Sequence, residues 1–466
     1  MTVTAARLGS APLTLDWTNF IRIPTGAGAA HAANPDAERE SLAEAWRKLH
    51  AYFDRGDVGF YRAPTDNEIS QATESQKLAS DLLSQNRFTD CLFLGIGGSA
   101  LGPLALLNAL PDRCKSGIRF HIVDNPDPTQ WAHTIAGLHP QSTLVCAVTK
   151  SGTTFETMAQ LLLSLEWLGR ERWTTHLVAI TDPEKGDLKT FAKTHNVPTL
   201  HIAPSVGGRF SIFTPVGLFP AALAGLSVSD FLLGAQQVRD HLEKCPVEKN
   251  PLFTIGNQFI RHFAKRPIHV CMPYSSQLKT VGSWFVQLWG ESLGKDGRGF
   301  TPLAAVGSTD QHSILQLLRD GPDDKVTFFV TVDKVANEVE IPKPLRGLEV
   351  SRLPAFSILE GHSLQDLLRI EYRATSLVLT KRGRPHLTLQ LDSLDERSIG
   401  AMFFMYSVLT AFTGVLWGVN PFDQPGVEEA KIYIREALQE ERAKDSGEKF
   451  ADDDQSPLAR LRGDRR

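Results

Sequence analysis

Short apolar runs alternate with amphipathic stretches along most of the chain, and this alternation is the main indication of the fold. Several runs in the first half have the length and composition of buried strands, and each is followed by helical or turn sequence. These runs are Cys91–Leu94, Phe120–Val123, Leu144–Val148, Leu177–Ile180 and Thr199–Ile202. Repeated strand–helix alternation predicts a parallel sheet covered by helices on both faces.

The same pattern resumes in the second half of the chain. It predicts helices near 229–243, 251–264 and 278–294, and strands near 268–272, 326–332 and 386–391. We therefore expect an α/β protein with two doubly wound parallel-sheet domains. The expected division is an irregular N-terminal wrapping segment at 1–40, a first domain at 41–225, a second at 226–420, and a C-terminal helix with a charged tail at 421–466.

One uncharged segment could also be interpreted as a membrane span. Ile399 to Val419 contains no charged residue and is long enough to cross a bilayer. It contains several hydroxyl residues, however, and Ser393 with Glu396 has the spacing of a capping box before it. A helix surrounded by other layers is apolar all round for the same reason as a membrane span. We predict a buried core helix and no membrane contact.

Composition narrows the class of protein further. At 466 residues the chain is long enough for two or three domains, and its net charge of −4 gives no sign of a nucleic-acid partner. The five cysteines are scattered without a C-x-x-C pair, so free thiols are expected. No signal-peptide pattern opens the chain, which favours the cytoplasm. No His, Cys and Asp grouping has metal-ligand spacing, so no metal is expected.

The first candidate binding feature is the glycine-rich turn after the Cys91–Leu94 run. It reads GIGGSALG over 95–102 and leads into an apolar helix, a setting in which backbone amides approach and favour an anion. Two other interpretations fit this turn alone. It could be a tight turn without a ligand. It could also be a dinucleotide fingerprint of an NAD-dependent oxidoreductase, because Gly95, Gly97 and Ala100 have the required spacing and Asp124 ends the next predicted strand.

A second turn changes the balance between these interpretations. TKSGTTFET at 149–157 follows the Leu144–Val148 run and opens another helix. Its hydroxyls can donate several hydrogen bonds to one phosphate, although such turns also serve as ordinary helix caps. A dinucleotide fold needs only its first glycine turn, so two adjacent turns favour a sugar phosphate. A sugar-phosphate-binding protein without catalytic activity is a third hypothesis.

Six stretches in order resemble the sugar isomerase family, and within it the phosphoglucose isomerases. They are GIGGSALG at 95–102, TKSGTTFET at 149–157, GGRFS at 207–211, QLWGESLGK at 287–295, GSTDQH at 307–312 and FDQPGVEEAK at 422–431. The first two occur in any phosphosugar-binding module, whereas the last four together are specific to the isomerase. The resemblance implies two sugar-isomerase-type domains. It also implies cofactor-free, reversible isomerisation of glucose 6-phosphate to fructose 6-phosphate in glycolysis and gluconeogenesis.

The resemblance also implies roles for individual residues. Glu291 would be the base that moves a proton between C2 and C1, and Arg209 would stabilise the cis-enediolate with its fixed positive charge. His312 and Lys431 would open the sugar ring. The implied substrate and phosphate contacts are Gly98, Ser99, Thr149, Lys150, Ser151, Thr154, Gln287 and Gln424.

Without the resemblance, these side chains would fit ordinary structural roles. Glu291 would be a solvated helix residue, Arg209 a turn-closing ion pair, and Lys431 a surface lysine. The resemblance further implies a homodimer in which His312 reaches into the partner's site while Glu291 serves its own.

Overall fold

The structure is a computed structural model that describes residues 4–25, 35–66, 71–343 and 353–446. Within those ranges the strands are β1 (Ala5–Arg7), β2 (Leu13–Asp16), β3 (Asp90–Leu94), β4 (Arg119–Val123), β5 (Thr143–Val148), β6 (Leu177–Thr181), β7 (Thr199–His201), β8 (Ile268–Pro273), β9 (Thr301–Ala304), β10 (Lys325–Lys334) and β11 (His386–Ser393). The N-terminal helices are α1 (Thr18–Arg22), α2 (Pro35–Asp54), α3 (Ala63–Asp66) and α4 (Gln71–Ser84). The helices from α5 to α11 are α5 (Gly98–Ala109), α6 (Pro128–Ala136), α7 (Phe155–Leu168), α8 (Trp173–His176), α9 (Asp187–Thr194), α10 (Pro215–Leu223) and α11 (Val228–Lys244). The remaining helices are α12 (Pro251–His262), α13 (Lys279–Leu293), α14 (Gln311–Asp320), α15 (Pro354–Ser357), α16 (Leu364–Lys381), α17 (Glu396–Trp417) and α18 (Pro425–Ser446).

The first sheet has five parallel strands in the order β4-β3-β5-β6-β7. Its strands β3, β5 and β6 are buried along their whole length, because helices cover both faces. One apolar cluster includes Cys91 and Phe93, and a second on the opposite face includes Leu92 and Leu94. The predicted α/β class with parallel sheets is confirmed.

The second sheet has six strands in the order β1-β2-β11-β10-β8-β9. Strands β8 to β11 are parallel, whereas β1 and β2 form an antiparallel hairpin that adds to the edge of β11. The segment 1–40 was expected to be irregular, and this hairpin corrects that expectation. Leu13 and Leu15 point into the core between exposed or half-buried neighbours, so two residues of alternation suffice for a strand once an edge is open to pair with it.

The uncharged segment is the buried core helix α17. It is the one helix of the described ranges that is long and apolar enough to cross a membrane, and 89% of its most apolar window is buried within the chain. Its cap differs from the expected Ser393–Glu396 box. Ser393 ends β11, and the Asp395 carboxylate accepts the Ser398 amide hydrogen at 2.7 Å. The Glu396 carboxylate instead accepts from Arg113 Nε at 2.5 Å and from the Ser227 amide at 3.1 Å.

The chain divides into two compact units after residue 421. Met1–Pro421 contains both sheets, and Phe422–Arg466 contains α18. The expected C-terminal helix is therefore present, while the charged DDD and RLRGDRR segments lie outside the described residues. The domain boundary expected between residues 225 and 226 stays a prediction.

Candidate active site

The two predicted binding turns lie side by side at the carboxyl edge of the first sheet. Strand β3 is hydrogen-bonded to β4 on one side and to β5 on the other, and Leu94 at its end is in register with Ala147. From β3 the chain continues to β4 on one side, and from β5 it continues to β6 on the other, so the strand order switches between β3 and β5. Open α/β sheets bind ligands at such a switch in strand order, outside the carboxyl ends of the strands.

The glycine turn after β3 is packed against the turn that carries Arg209. Gly97 precedes α5 with φ of 55°, a left-handed conformation that favours glycine. At Gly98 an added Cβ would lie 2.2 Å from the main-chain carbonyl of Gly208 and 2.5 Å from the amide nitrogen of Arg209. Gly98 is therefore required by close approach of two backbones, which accounts for the glycine without a dinucleotide. Ser99 follows in the first turn of α5 and is half-buried.

The second turn gathers its hydroxyl groups in one cluster. Thr149 Oγ1 and Thr154 Oγ1 are 2.8 Å apart, and Ser151 Oγ lies 3.4 Å from each of them. Thr154 occupies the N-cap position of α7, yet its side chain makes no capping hydrogen bond. The hydroxyl of Thr153 also donates to Ser151 Oγ at 3.3 Å. These hydroxyls therefore bond to one another and do not cap the helix, which fits a shared anion ligand better than an ordinary cap.

The Lys150 side chain bonds to main-chain carbonyl groups outside this hydroxyl cluster. Its ammonium group donates to the carbonyl oxygens of Pro204 at 2.5 Å and Val206 at 2.9 Å. Burial lowers the pKa of this lysine. The side chain thus joins the second turn to the segment that precedes Arg209.

Arg209, Glu291 and Gln287 converge beside the first glycine turn. Arg209 is buried, and its Nη1 lies 3.4 Å from the Glu291 carboxylate. Gln287 stands one helical turn before Glu291 on α13 and donates from Nε2 to the same carboxylate at 3.1 Å. The Glu291 side chain keeps 22% of its surface exposed, so a ligand can still reach it. A carboxylate held between a guanidinium and an amide can accept a proton from a fixed orientation.

Gln287 also connects this carboxylate to the glycine turn. A Cβ on Gly97 would lie 2.9 Å from Gln287 Nε2, so the amide group sits directly against the turn. Its Oε1 is buried and has no hydrogen-bond partner within the described residues. Buried polar atoms are normally paired, so this oxygen is a candidate acceptor for a ligand hydroxyl.

Two groups that hold Arg209 were not anticipated from the sequence. Arg209 Nε donates to Ser292 Oγ at 2.7 Å, and Nη2 donates to the Pro421 carbonyl at 2.6 Å. Ser292 is fully buried although it is polar, and it directly follows Glu291 in the chain. A hydroxyl on the apolar face of α13 is the sequence signal that could have indicated it.

The remaining predicted site residues are His312, Lys431 and Gln424, and the contacts of Arg209, Glu291 and Gln287 given above do not include them. His312 is exposed in the first turn of α14, and no described hydrogen bond or ion pair joins it to Glu291 or Arg209. Lys431 belongs to α18, where it forms an ion pair of 2.8 Å with Glu428. The hydrogen bond that Lys431 donates lowers the pKa of Glu428, and Glu428 also bonds to the Gln424 side chain. Their predicted roles in the site stay predictions.

Comparison with known proteins identifies the family of the chain. The sequence model of the family described as phosphoglucose isomerase matches residues 82–458. A glucose-6-phosphate isomerase from Rubrobacter xylanophilus is 40% identical over 434 residues, which covers 90% of this chain and 96% of the relative. Another from Thermus thermophilus is 39% identical over 411 residues, covering 85% of this chain and 94% of the relative.

Solved structures give the same fold. A crystal structure of a hypothetical protein from Thermus thermophilus superposes with a TM-score of 0.82 at 36% identity, covering 91% of this chain and 99% of the other. A glucose-6-phosphate isomerase structure from Chlamydia trachomatis gives a TM-score of 0.77 at 22% identity, covering 98% of this chain and 92% of the other, and supports the fold alone.

Proposed function

The chain belongs to the phosphoglucose isomerase family, and on that premise we propose that it interconverts glucose 6-phosphate and fructose 6-phosphate at the cluster of Glu291, Arg209 and Gln287. The observation that carries the proposal is this convergence at the switch point of the first sheet, beside the turns that follow β3 and β5. A non-catalytic binding protein would not need Glu291, Arg209, His312 and Lys431 together. The family match does not favour an NAD-dependent oxidoreductase.

The phosphate group is held by the hydroxyl cluster of the second turn. Thr149, Ser151 and Thr154 bond to one another through groups that can rotate to donate to phosphate oxygens. The main chain at Gly98 and Ser99 contributes from the start of α5, where the helix N-terminus favours an anion. These contacts bind the same group in the ground state and in the transition state.

Isomerisation then needs one proton to move between neighbouring carbons. The Glu291 carboxylate removes the proton from C2 of the open-chain aldose, and the electron pair moves to give a cis-enediolate. The Arg209 guanidinium stabilises the negative oxygen, and Gln287 Oε1 accepts from a substrate hydroxyl. The proton that Glu291 holds returns to C1 while the hydroxyl proton passes from O2 to O1, so that a carbonyl forms at C2 and the ketose results. No cofactor or metal enters this scheme.

Ring opening precedes the proton transfer and is assigned to His312 and Lys431, with Gln424 positioning a substrate hydroxyl. The exposed position of His312 supports a role in a neighbouring subunit. We propose a homodimer with shared sites, in which each site uses its own Glu291 and the partner's His312. We also propose a cytoplasmic location, because all five cysteines are free and three are buried.

A coupled assay tests the activity. Fructose 6-phosphate is supplied with a glucose-6-phosphate dehydrogenase and its nicotinamide cofactor, and absorbance reports glucose 6-phosphate formed. We expect a turnover of at least about 1 s⁻¹, an ordinary enzyme rate. A nicotinamide signal that needs no coupling enzyme would support the oxidoreductase hypothesis, and tight substrate binding without turnover would support the binding protein.

Subunit mixing tests the shared site. Glu291→Gln and His312→Ala proteins, each nearly inactive, are unfolded, mixed at equal ratio and refolded together. In a mixed dimer with shared sites, one site collects both lesions and the other collects none, so random pairing restores roughly a quarter of the parent activity. Mixed dimers confirmed by mass but no more active than either variant would contradict sharing.

A further inference from the structure

Lys150 connects the turn that carries the hydroxyl cluster to the Pro204–Val206 segment. Its ammonium donates to the carbonyl oxygens of Pro204 and Val206, at 2.5 and 2.9 Å. An ammonium group has three N–H donors, so these two bonds use most of its capacity. The ammonium group is therefore bonded to the segment that directly precedes Gly207, Gly208 and Arg209 in the chain.

The same segment is held from its other sides by main-chain contacts. The carbonyl of Ser205 accepts from the Gly59 amide at 3.1 Å, and the Val206 amide donates to the Ala203 carbonyl at 2.9 Å. Beyond it, the carbonyl of Gly208 faces Gly98 at close range. Val206 is buried, so loss of the lysine would leave its carbonyl without this charged donor, and the turn would relax to find another.

A shift of this turn would be transmitted to the catalytic arginine. Arg209 lies three residues beyond Val206, and its guanidinium is fixed by bonds of 2.7 Å to Ser292 and 2.6 Å to the Pro421 carbonyl. We infer that Lys150 is a positioning residue for Arg209, which holds the Pro204–Val206 segment in place and does not grip the phosphate. This inference rests on the proposed function, because it presumes that Arg209 stabilises the enediolate.

Three single variants test the inference. Lys150→Met removes the donors but keeps the length of the side chain, and Lys150→Arg keeps a cation with several donors. Lys185→Met is the matched control, since Lys185 is a neighbouring exposed lysine whose charge acts on Lys150 but which makes neither carbonyl bond. For each protein, kcat and KM for fructose 6-phosphate and the inhibition constant of inorganic phosphate are measured.

The positioning role predicts a loss in kcat alone. Lys150→Met should lower kcat roughly 10- to 100-fold, because small misplacements of a catalytic group have large effects on rate. KM and the inhibition constant of phosphate should change less than about twofold, since the hydroxyl cluster is intact. Lys150→Arg should recover most of the kcat, and Lys185→Met should match the parent. In an Arg209→Lys background, adding Lys150→Met should lower kcat by less than about threefold, because the residue that Lys150 positions has already been changed.

Other outcomes overturn the inference. Parallel rises in KM and in the phosphate inhibition constant, with kcat kept, would make Lys150 a phosphate ligand. A lower thermal midpoint with unchanged kcat and KM would make it a purely structural residue. An inactive parent protein would refute the proposed function itself, whereas an active parent whose Lys150→Met variant keeps its kcat refutes only the role assigned to Lys150.

Discussion

Replacing Gly98 by alanine would test how the first glycine turn supports Arg209. The new Cβ would lie 2.2 Å from the carbonyl of Gly208, whereas ordinary contact begins at 3.4 Å. The obstacle is main chain, so it cannot turn aside as the end of a side chain would. One of the two backbones must therefore retreat by about 1.2 Å, the difference between 3.4 and 2.2 Å.

A retreat of that size exceeds the stretch that the hydrogen bonds of Arg209 can tolerate. Its donors lie 2.7 Å from Ser292 Oγ and 2.6 Å from the Pro421 carbonyl, and an added ångström takes both beyond the usual limit of about 3.2 Å. Misplacement of a catalytic group by about 1 Å can cost about 100-fold in rate. We expect kcat to fall about 100-fold and the free energy of unfolding to fall by about 1–3 kcal/mol, as in other overpacked contacts.

Gly208→Ala is the matched control because it adds the same methyl group from the other side. Its Cβ would meet no atom nearer than Gly98 Cα at 4.0 Å, and its φ lies outside the left-handed region. The coupled assay and thermal unfolding should therefore place Gly208→Ala within about threefold of the parent kcat and near its midpoint. A Gly98→Ala protein with parental kcat, or equal damage from both substitutions, would refute this account of the turn.

Three further predictions concern the phosphate contacts, the reaction type and the corrected helix cap. Ser151→Ala with Thr154→Ala should raise KM about 10-fold or more with little change in kcat, because uniform binding is lost, and a loss confined to kcat would contradict the phosphate assignment. EDTA should leave activity unchanged, and loss that a divalent ion restores would indicate a metal-assisted hydride shift. Asp395→Ala should lower the free energy of unfolding by about 1 kcal/mol in denaturant titrations, and by more than Ser393→Ala does, if Asp395 caps α17.

The hydrophobic pattern of the sequence predicted most of the fold. Strands β3, β5 and β6 are buried on both faces, so they appear in the sequence as continuous apolar runs that need no alternation to be found. Helix α17 is apolar for the same reason, and its buried position is confirmed. The parallel α/β class and the family were therefore predictable from runs and motifs alone.

Elements at the edges of the second sheet were not predictable in this way. Strand β9 contains a proline and is mostly exposed, so it has neither an apolar run nor a clean alternation. Strands β1 and β2 are short, and β2 pairs with β11, which lies more than 350 residues further along the chain. Local pattern carries no information about such a partner.

The site shows the same limit. Motifs identified Arg209 and Glu291, but the contacts that orient the arginine join residues 83 and 212 positions apart. The carbonyl bonds of Lys150 span 54 and 56 positions in the same way. A motif can name a side chain, whereas the group it bonds to is decided by how the distant elements pack.

Proton exchange during turnover tests the central claim most directly. The parent protein and Glu291→Gln are each given fructose 6-phosphate in D₂O, and NMR follows both conversion and deuterium at C2 of the glucose 6-phosphate formed. The substitution keeps the shape of the side chain but removes the base, so turnover should fall by about 10²–10⁴-fold and deuterium incorporation should fall with it, while KM changes little. Continued deuterium incorporation at C2 by Glu291→Gln, at the rate of the parent protein, would show that Glu291 is not the base.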